Sequence, residues 1–128
     1  MAPFLRPYEG LIYAGFRIVF GLTFAQYGAQ KLFGAFGGPS EMHPALLYTA
    51  GVIELVGGLL VAAGLVTRWS AFFCSGTMAV AYFMVHSMNG FWPIENRGGM
   101  SALYAWAFLF IAAHGPGKLS LDEALNRK

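Results

Sequence analysis

In the run LTFAQYGAQKLFGAFGG, residues 22–38, two amides, a phenol and an ammonium (Gln26, Gln30, Tyr27 and Lys31) interrupt a stretch that otherwise reads as lipid-facing helix. Arg17 and Glu54 lie in similarly apolar surroundings, and His86 and Asn89 close a further apolar run. An unpaired charge within a bilayer costs on the order of 2.5–3.5 kcal/mol on insertion scales, so Arg17 and Glu54 are expected to form a buried ion pair. At 1.5 Å per helical residue, Arg17 falls about 9 Å and Glu54 about 15 Å from the same edge, within reach of two long side chains on adjacent helices. Such a pair either specifies which helices touch or, as a titratable carboxylate beside a guanidinium, relays protons or holds a ligand. Ala50, Gly51, Gly57 and Gly58 lie three and four residues from Glu54, a small-residue face that admits another backbone.

A second set gathers toward the opposite edge. Arg17, Phe24 and Lys31 recur every seven residues with Gly21, Tyr27 and Gly28 between them, which makes one stripe along a helix. His86 and Asn89 reach the same level from a later helix, and Glu95 and Arg97 follow in the next loop. The expected site is an outward-opening cavity lined by Tyr27, Lys31, His86 and Asn89, with that loop as its lid. Plainer roles compete: Lys31 as a snorkelling cation, Tyr27 and Trp92 as interfacial belt residues. An imidazole at the end of a span titrates near neutrality and suits proton exchange with a reducible substrate. A haem on His86 and His114 is not expected, because they fall on the order of 20 Å apart by helix rise; His43 with His86 is geometrically possible but a weak metal signal, and no metal site is expected. Cys74 is the only cysteine, which excludes an internal disulfide, a CxxC redox centre and a thiolate cluster.

The elements that must position these groups follow from hydropathy. A 57% apolar composition with 11% charged residues lies far from the soluble balance of about 25% charged. Residues 44–66 carry one charge and residues 69–85 none, close to the roughly 20 apolar residues that a span requires. The expectation is therefore an all-α fold, a transmembrane four-helix bundle over residues 1–128, with helices near 11–33, 44–66, 69–90 and 97–114 and short loops punctuated by glycine and proline. Arg6, Arg68, Lys118, Arg127 and Lys128 cluster at one edge, which places both termini in the cytoplasm. Ser120 with Glu123 three residues later opens a short polar C-terminal helix as a capping box. Arg17 in the first apolar segment, with no A-x-A site after it, argues for a retained N-terminus. A net charge of +2, scattered along the chain, excludes a nucleic-acid face.

Four ordered blocks, FRIVFGLTFAQYGAQKLFGAFGG, AGVIELVGGLLVAAGLVTRWSA, VHSMNGF and HGPGKLSLDEAL, resemble the DoxX family of small four-helix membrane proteins over nearly the whole chain. The resemblance points to Arg17, Gly28, Lys31, Glu54, Gly58, His86, Asn89 and Gly90, with Gly28, Gly51 and Gly58 as helix-packing positions. The sequence departs from the family pattern at Tyr27, where many relatives carry histidine, and in the compact WPIENRGG loop. The resemblance implies an integral subunit of a redox-linked complex in the bacterial inner membrane, associated with quinone, thiosulfate or thiol chemistry. The partners implied are the bilayer, other membrane or redox subunits or further copies of the chain. No cofactor is expected on this chain alone, quinone being the candidate ligand. The alternatives are a non-enzymatic membrane scaffold and a small-solute transporter, the latter disfavoured by four spans without an inverted repeat.

Overall fold

A computed structural model describes residues 3–34, 44–86, 89–96 and 98–126. A 3₁₀ turn, Pro3–Tyr8, leads into α1 (Glu9–Phe33), followed by α2 (Pro44–Ala63), α3 (Thr67–Ala81), a π-helical turn (Tyr82–His86), α4 (Pro93–Asn96), α5 (Gly99–His114) and α6 (Leu121–Ala124). The described residues contain no strand. Four long helices form the bundle, with α1 packed most extensively on α2 and α3 on α5, while α2 and α3 meet more loosely. The expected third helix thus ends early, at Ala81, and widens into a π turn where i→i+5 bonding re-aims the side chains up to His86. His43, Arg97, Arg127 and Lys128, and most of the loop between α1 and α2, lie outside the described residues.

Two faces of α1 are packed by opposite means. Toward α2 it presents Gly21 and Gly28, seven residues apart, and a Cβ on Gly21 would lie 2.6 Å from both the Ala62 nitrogen and the Gly58 oxygen. Gly28 lies against Gly51 and Leu55, and Gly58 against Gly21 and Ala25, so the two backbones touch. Toward α5 it presents Phe16, Phe20 and Phe24, whose rings meet Tyr104, Phe108 and Phe110 at centroid distances of 4.7–6.1 Å. Gly21→Ala is therefore expected to force α1 and α2 apart, at about 1–3 kcal/mol. Gly15→Ala, inside α1 at a position where a Cβ would meet nothing within 4 Å, should melt at or slightly above the wild type in detergent.

The end that carries residues 3–8 and 115–126, here the terminal end, is closed by side chains that cap helices other than their own. A helix leaves its last four carbonyls without internal partners, and a buried end must find them partners elsewhere. Gly64, at φ +72°, ends α2 in a Schellman motif: its N–H bonds to Val61 O and that of Leu65 to Leu60 O. Arg17, from α1, supplies Nε to Val61 O (3.0 Å) and Nη2 to Ala62 O (3.4 Å). For α5, the Gly115 N–H bonds to Ile111 O while Arg68, from α3, donates to the carbonyls of Ala112, Ala113 and His114. Both arginines also oppose the negative ends of the helix dipoles.

The tail completes this end. Arg17 Nη1 donates to Pro116 O (2.6 Å) and Lys118 O (2.9 Å) and its Nη2 to Leu119 O (2.7 Å), while Tyr13 Oη donates to Gly115 O (2.7 Å). Ser120 caps α6 by accepting the Glu123 N–H. Asp122 in turn caps α3: its carboxylate accepts the N–H groups of Val66 and Thr67 and the Thr67 hydroxyl, at 2.8–2.9 Å. Those bonds hold Val66 at φ +48°, a left-handed conformation that a β-branched residue rarely adopts.

Among the described residues no helix is long and apolar enough to cross a membrane.

Candidate functional site

Glu54 is 1% exposed and is paired with Lys31, not with Arg17. This corrects the expected Arg17–Glu54 ion pair. The reason is in the caps just described: the guanidinium is saturated by five backbone carbonyls at the terminal end, which leaves the carboxylate to the cation about four turns beyond it on α1. The carboxylate's partner is thus the other cation of α1. Backbone carbonyls carry no signal in a one-dimensional reading, so a cation without a nearby carboxylate in sequence is easily matched to the wrong one.

The Lys31–Glu54 pair forms part of the wall of a cavity of about 430 Å³ in the loose seam between α2 and α3. Thr49, Ala50 and Ile53 contribute from α2, and Phe72, Phe73, Gly76, Thr77 and Val80 from α3. Toward the terminal end the seam is closed where Gly57 meets Cys74: a Cβ on Gly57 would come within 2.5 Å of the sulfur. Beyond it the helices diverge, and the lining side chains Phe73 and Met84 are 63% and 57% exposed on the flank of the bundle. The wall is therefore almost wholly apolar, with one charged pair and two threonine hydroxyls.

Of the four residues expected to share a cavity, only Lys31 lines this one. Tyr27 turns toward α5, where its ring meets Tyr104 edge-on at 6.2 Å, and Tyr104 is hydrogen-bonded to Thr23. His86 is half-buried at the end of the π turn and Asn89 is exposed beyond it. Helix phase already separates them: six residues past Val80, His86 falls off the face that Gly76, Val80 and Met84 present to the cavity. Near it, Tyr82, Phe83, Gly90, Phe91, Trp92 and Pro93 enclose a second hollow of about 390 Å³. Gly28, Gly51 and Gly58 all lie at the α1–α2 contact, as the fold required of them. Asp122 and Arg68 were missed as organising residues; the one available signal, a capping box followed by acidic residues, marks α6 but not the distant helix that Asp122 caps.

Among the described residues no cluster of three or more His, Cys, Asp or Glu side chains is placed to hold a metal. Every buried side-chain nitrogen and oxygen among them has a hydrogen-bond partner. What the arrangement can do chemically is bind: an apolar slot with a cation donor at its wall accepts an elongated apolar molecule whose polar end carries an acceptor oxygen.

The described residues thus form a small all-α bundle with a charged pair buried beside a flank cavity. The chain belongs to the DoxX family, whose profile matches residues 12–87. It is 37% identical to an uncharacterized protein of Haemophilus influenzae over 97% of this chain and 98% of that one. It is 33% identical to the inner membrane protein YqjF of Escherichia coli, over 79% of this chain and 75% of the relative. An uncharacterized membrane protein of Mycobacterium tuberculosis is 28% identical over 88% of this chain and 80% of its own length. No solved structure matches the chain.

Proposed function

We propose that the chain is a multi-pass protein of the bacterial inner membrane whose flank cavity binds the head of a quinone, and that it serves a redox-linked complex in which a partner supplies the electron-carrying centre. The observation that carries this reading is the 430 Å³ apolar cavity with the Lys31–Glu54 pair in its wall. A quinone offers two carbonyl acceptors on a flat apolar ring, which suits an ammonium donor beside Phe72 and Phe73. Reduction takes two electrons and two protons, which in this reading a partner's cofactor supplies. Its own part is to hold and orient the head.

Membrane residence is supported by the relatives named as membrane proteins and by the direction of the charges. Arg17 and Lys31 make α1 look poor as a span when its letters are averaged, yet Arg17 is fully buried and Lys31 is 13% exposed, so the outward face of α1 is more apolar than its sequence. Val19, Phe73, Leu103 and Trp106 are each at least 60% exposed on the bundle surface. The scaffold alternative draws its force from glycine faces free to meet a partner, and Gly21, Gly28, Gly51 and Gly58 are already occupied within the bundle.

The test is a titration of the full chain in lipid nanodiscs with decylubiquinone and a short-chain menaquinone. Saturable binding is expected, weakened at least about tenfold in the double variant Lys31→Met/Glu54→Leu, which removes the donor without stranding a charge. His86→Ala should leave the affinity unchanged, since His86 does not line the cavity. Equal affinity in the double variant and the wild type would return the lead to the scaffold reading.

A further inference from the structure

The sequence led to a cavity opening outward under the 92–97 loop; the cavity found opens on the side of the bundle. Its lining residues are also flank residues: Phe72, Phe73, Val80 and Met84 are each more than half exposed. The seam is closed toward the terminal end by the Gly57–Cys74 contact. In the middle of the gap stands Gly76, exposed, in the interior of α3, where a Cβ would meet nothing within 4 Å. Glycine in a helix interior costs about 0.5–1 kcal/mol relative to alanine. At Gly21, Gly28 and Gly58 close backbone contact explains it; Gly76 and Gly15 both have open space, and of the two only Gly76 lines the cavity.

We infer that the ligand reaches the Lys31–Glu54 pair sideways, from the hydrocarbon layer, through the gap between α2 and α3 at Gly76, and is therefore a membrane-dissolved amphiphile with an acceptor oxygen at its polar end. This rests on the membrane reading above and adds a route and a size limit to it. The chemistry of the wall agrees with the route. A water-soluble anion would have to cross the exposed faces of Phe72, Phe73 and Met84 to meet the ammonium, whereas an apolar tail can remain among them while the head docks. An ammonium has three N–H donors and Glu54 takes one, so the head meets a donor and a neutralised pair, not a bare cation. Gly76 and Val80, four residues apart on one helix face, form the α3 side of the gap.

The experiment compares wild type, Gly76→Phe and Gly15→Phe as full chains in nanodiscs. Gly15 is a second helical glycine with open space around it, and it lies on α1 outside the cavity lining. The reporter is Trp69, whose ring lies 6.5 Å from that of the lining residue Phe72. Two probes are titrated: decylubiquinone, read by quenching, and cis-parinaric acid, read by energy transfer. Gly76→Phe is expected to weaken both saturable components at least about tenfold, with Gly15→Phe unchanged and all three proteins melting alike. Should Gly76→Phe lower the melting temperature, Val80→Phe narrows the same gap from the next turn. Undiminished binding of both probes in the obstructed variant overturns the route and leaves the quinone assignment standing. Parinarate binding that is lost in Gly76→Phe, without any saturable quinone component in wild type, supports the route and removes the quinone assignment. Absence of saturable binding by either probe in wild type overturns both.

Discussion

Arg17→Ala is expected to prevent recovery of folded protein. The substitution removes all five donors of the guanidinium and leaves the carbonyls of Val61, Ala62, Pro116, Lys118 and Leu119 without that partner at a closed end of the bundle. Val61 O keeps the Gly64 N–H, but each of the other acceptors left unsatisfied costs about 1–3 kcal/mol, so together they approach the whole stability of a typical domain, about 5–15 kcal/mol. Water entering from the terminal end would relieve some of the tail carbonyls, but those of α2 lie deeper. Arg17→Lys separates charge from geometry: an ammonium retains the charge but has three donors and no planar fork, and cannot serve α2 and the tail together. It should give an intermediate yield and a lower melting temperature. The measurement is monodisperse yield after detergent extraction, followed by a thermal melt; a wild-type melt for Arg17→Ala would refute the capping role.

The second large effect is asymmetric. Lys31→Met leaves Glu54, 1% exposed, as a buried carboxylate without its countercharge, and breaking a buried pair from one side costs about 3–5 kcal/mol. Glu54→Gln should cost less, because Lys31 is 13% exposed and has a long stem with which to re-aim its head toward the cavity mouth. Lys31→Met/Glu54→Leu should regain most of what Lys31→Met loses, since an apolar pair of similar volume often equals or exceeds a buried ion pair in stability. A double-mutant cycle on the melting free energies of Lys31→Met, Glu54→Leu and their combination gives the coupling directly, and additivity of those two single effects would dismiss the pair as an energetic unit. The stable double variant is also the one expected to have lost quinone, which separates folding from binding at the same two positions.

The two results would show a division of labour along α1. Arg17 ties together α2 and the tail through backbone groups, and Lys31, fourteen residues later, shields the one buried carboxylate of α2 beside the cavity. The first is an assembly device and the second the polar feature of a binding site. The profile match over residues 12–87 covers both cations and Glu54, but the tail carbonyls that complete Arg17 lie beyond it.

Much of this was present in the order of the residues. Hydropathy alone marks four long helices, because removing apolar side chains from water is local and additive enough to be read in windows. The seven-residue recurrence of Arg17, Phe24 and Lys31 places them on one stripe, and the glycines around Glu54 and at Gly28 announce a close helix contact. The sequence also bounds the chemistry: one cysteine and scattered histidines leave no internal redox or metal centre to propose. Only the tertiary structure decided which charge meets which partner, that Asp122 caps a helix more than fifty residues before it, and that the cavity lies on the flank instead of under a loop. These rest on backbone carbonyls and on how closely α2 and α3 approach, in contact at Gly57 and Cys74 and open beyond. Neither is encoded in any one residue's type: a carbonyl is the same in every residue, and the gap between two helices is set by all the side chains along their contact.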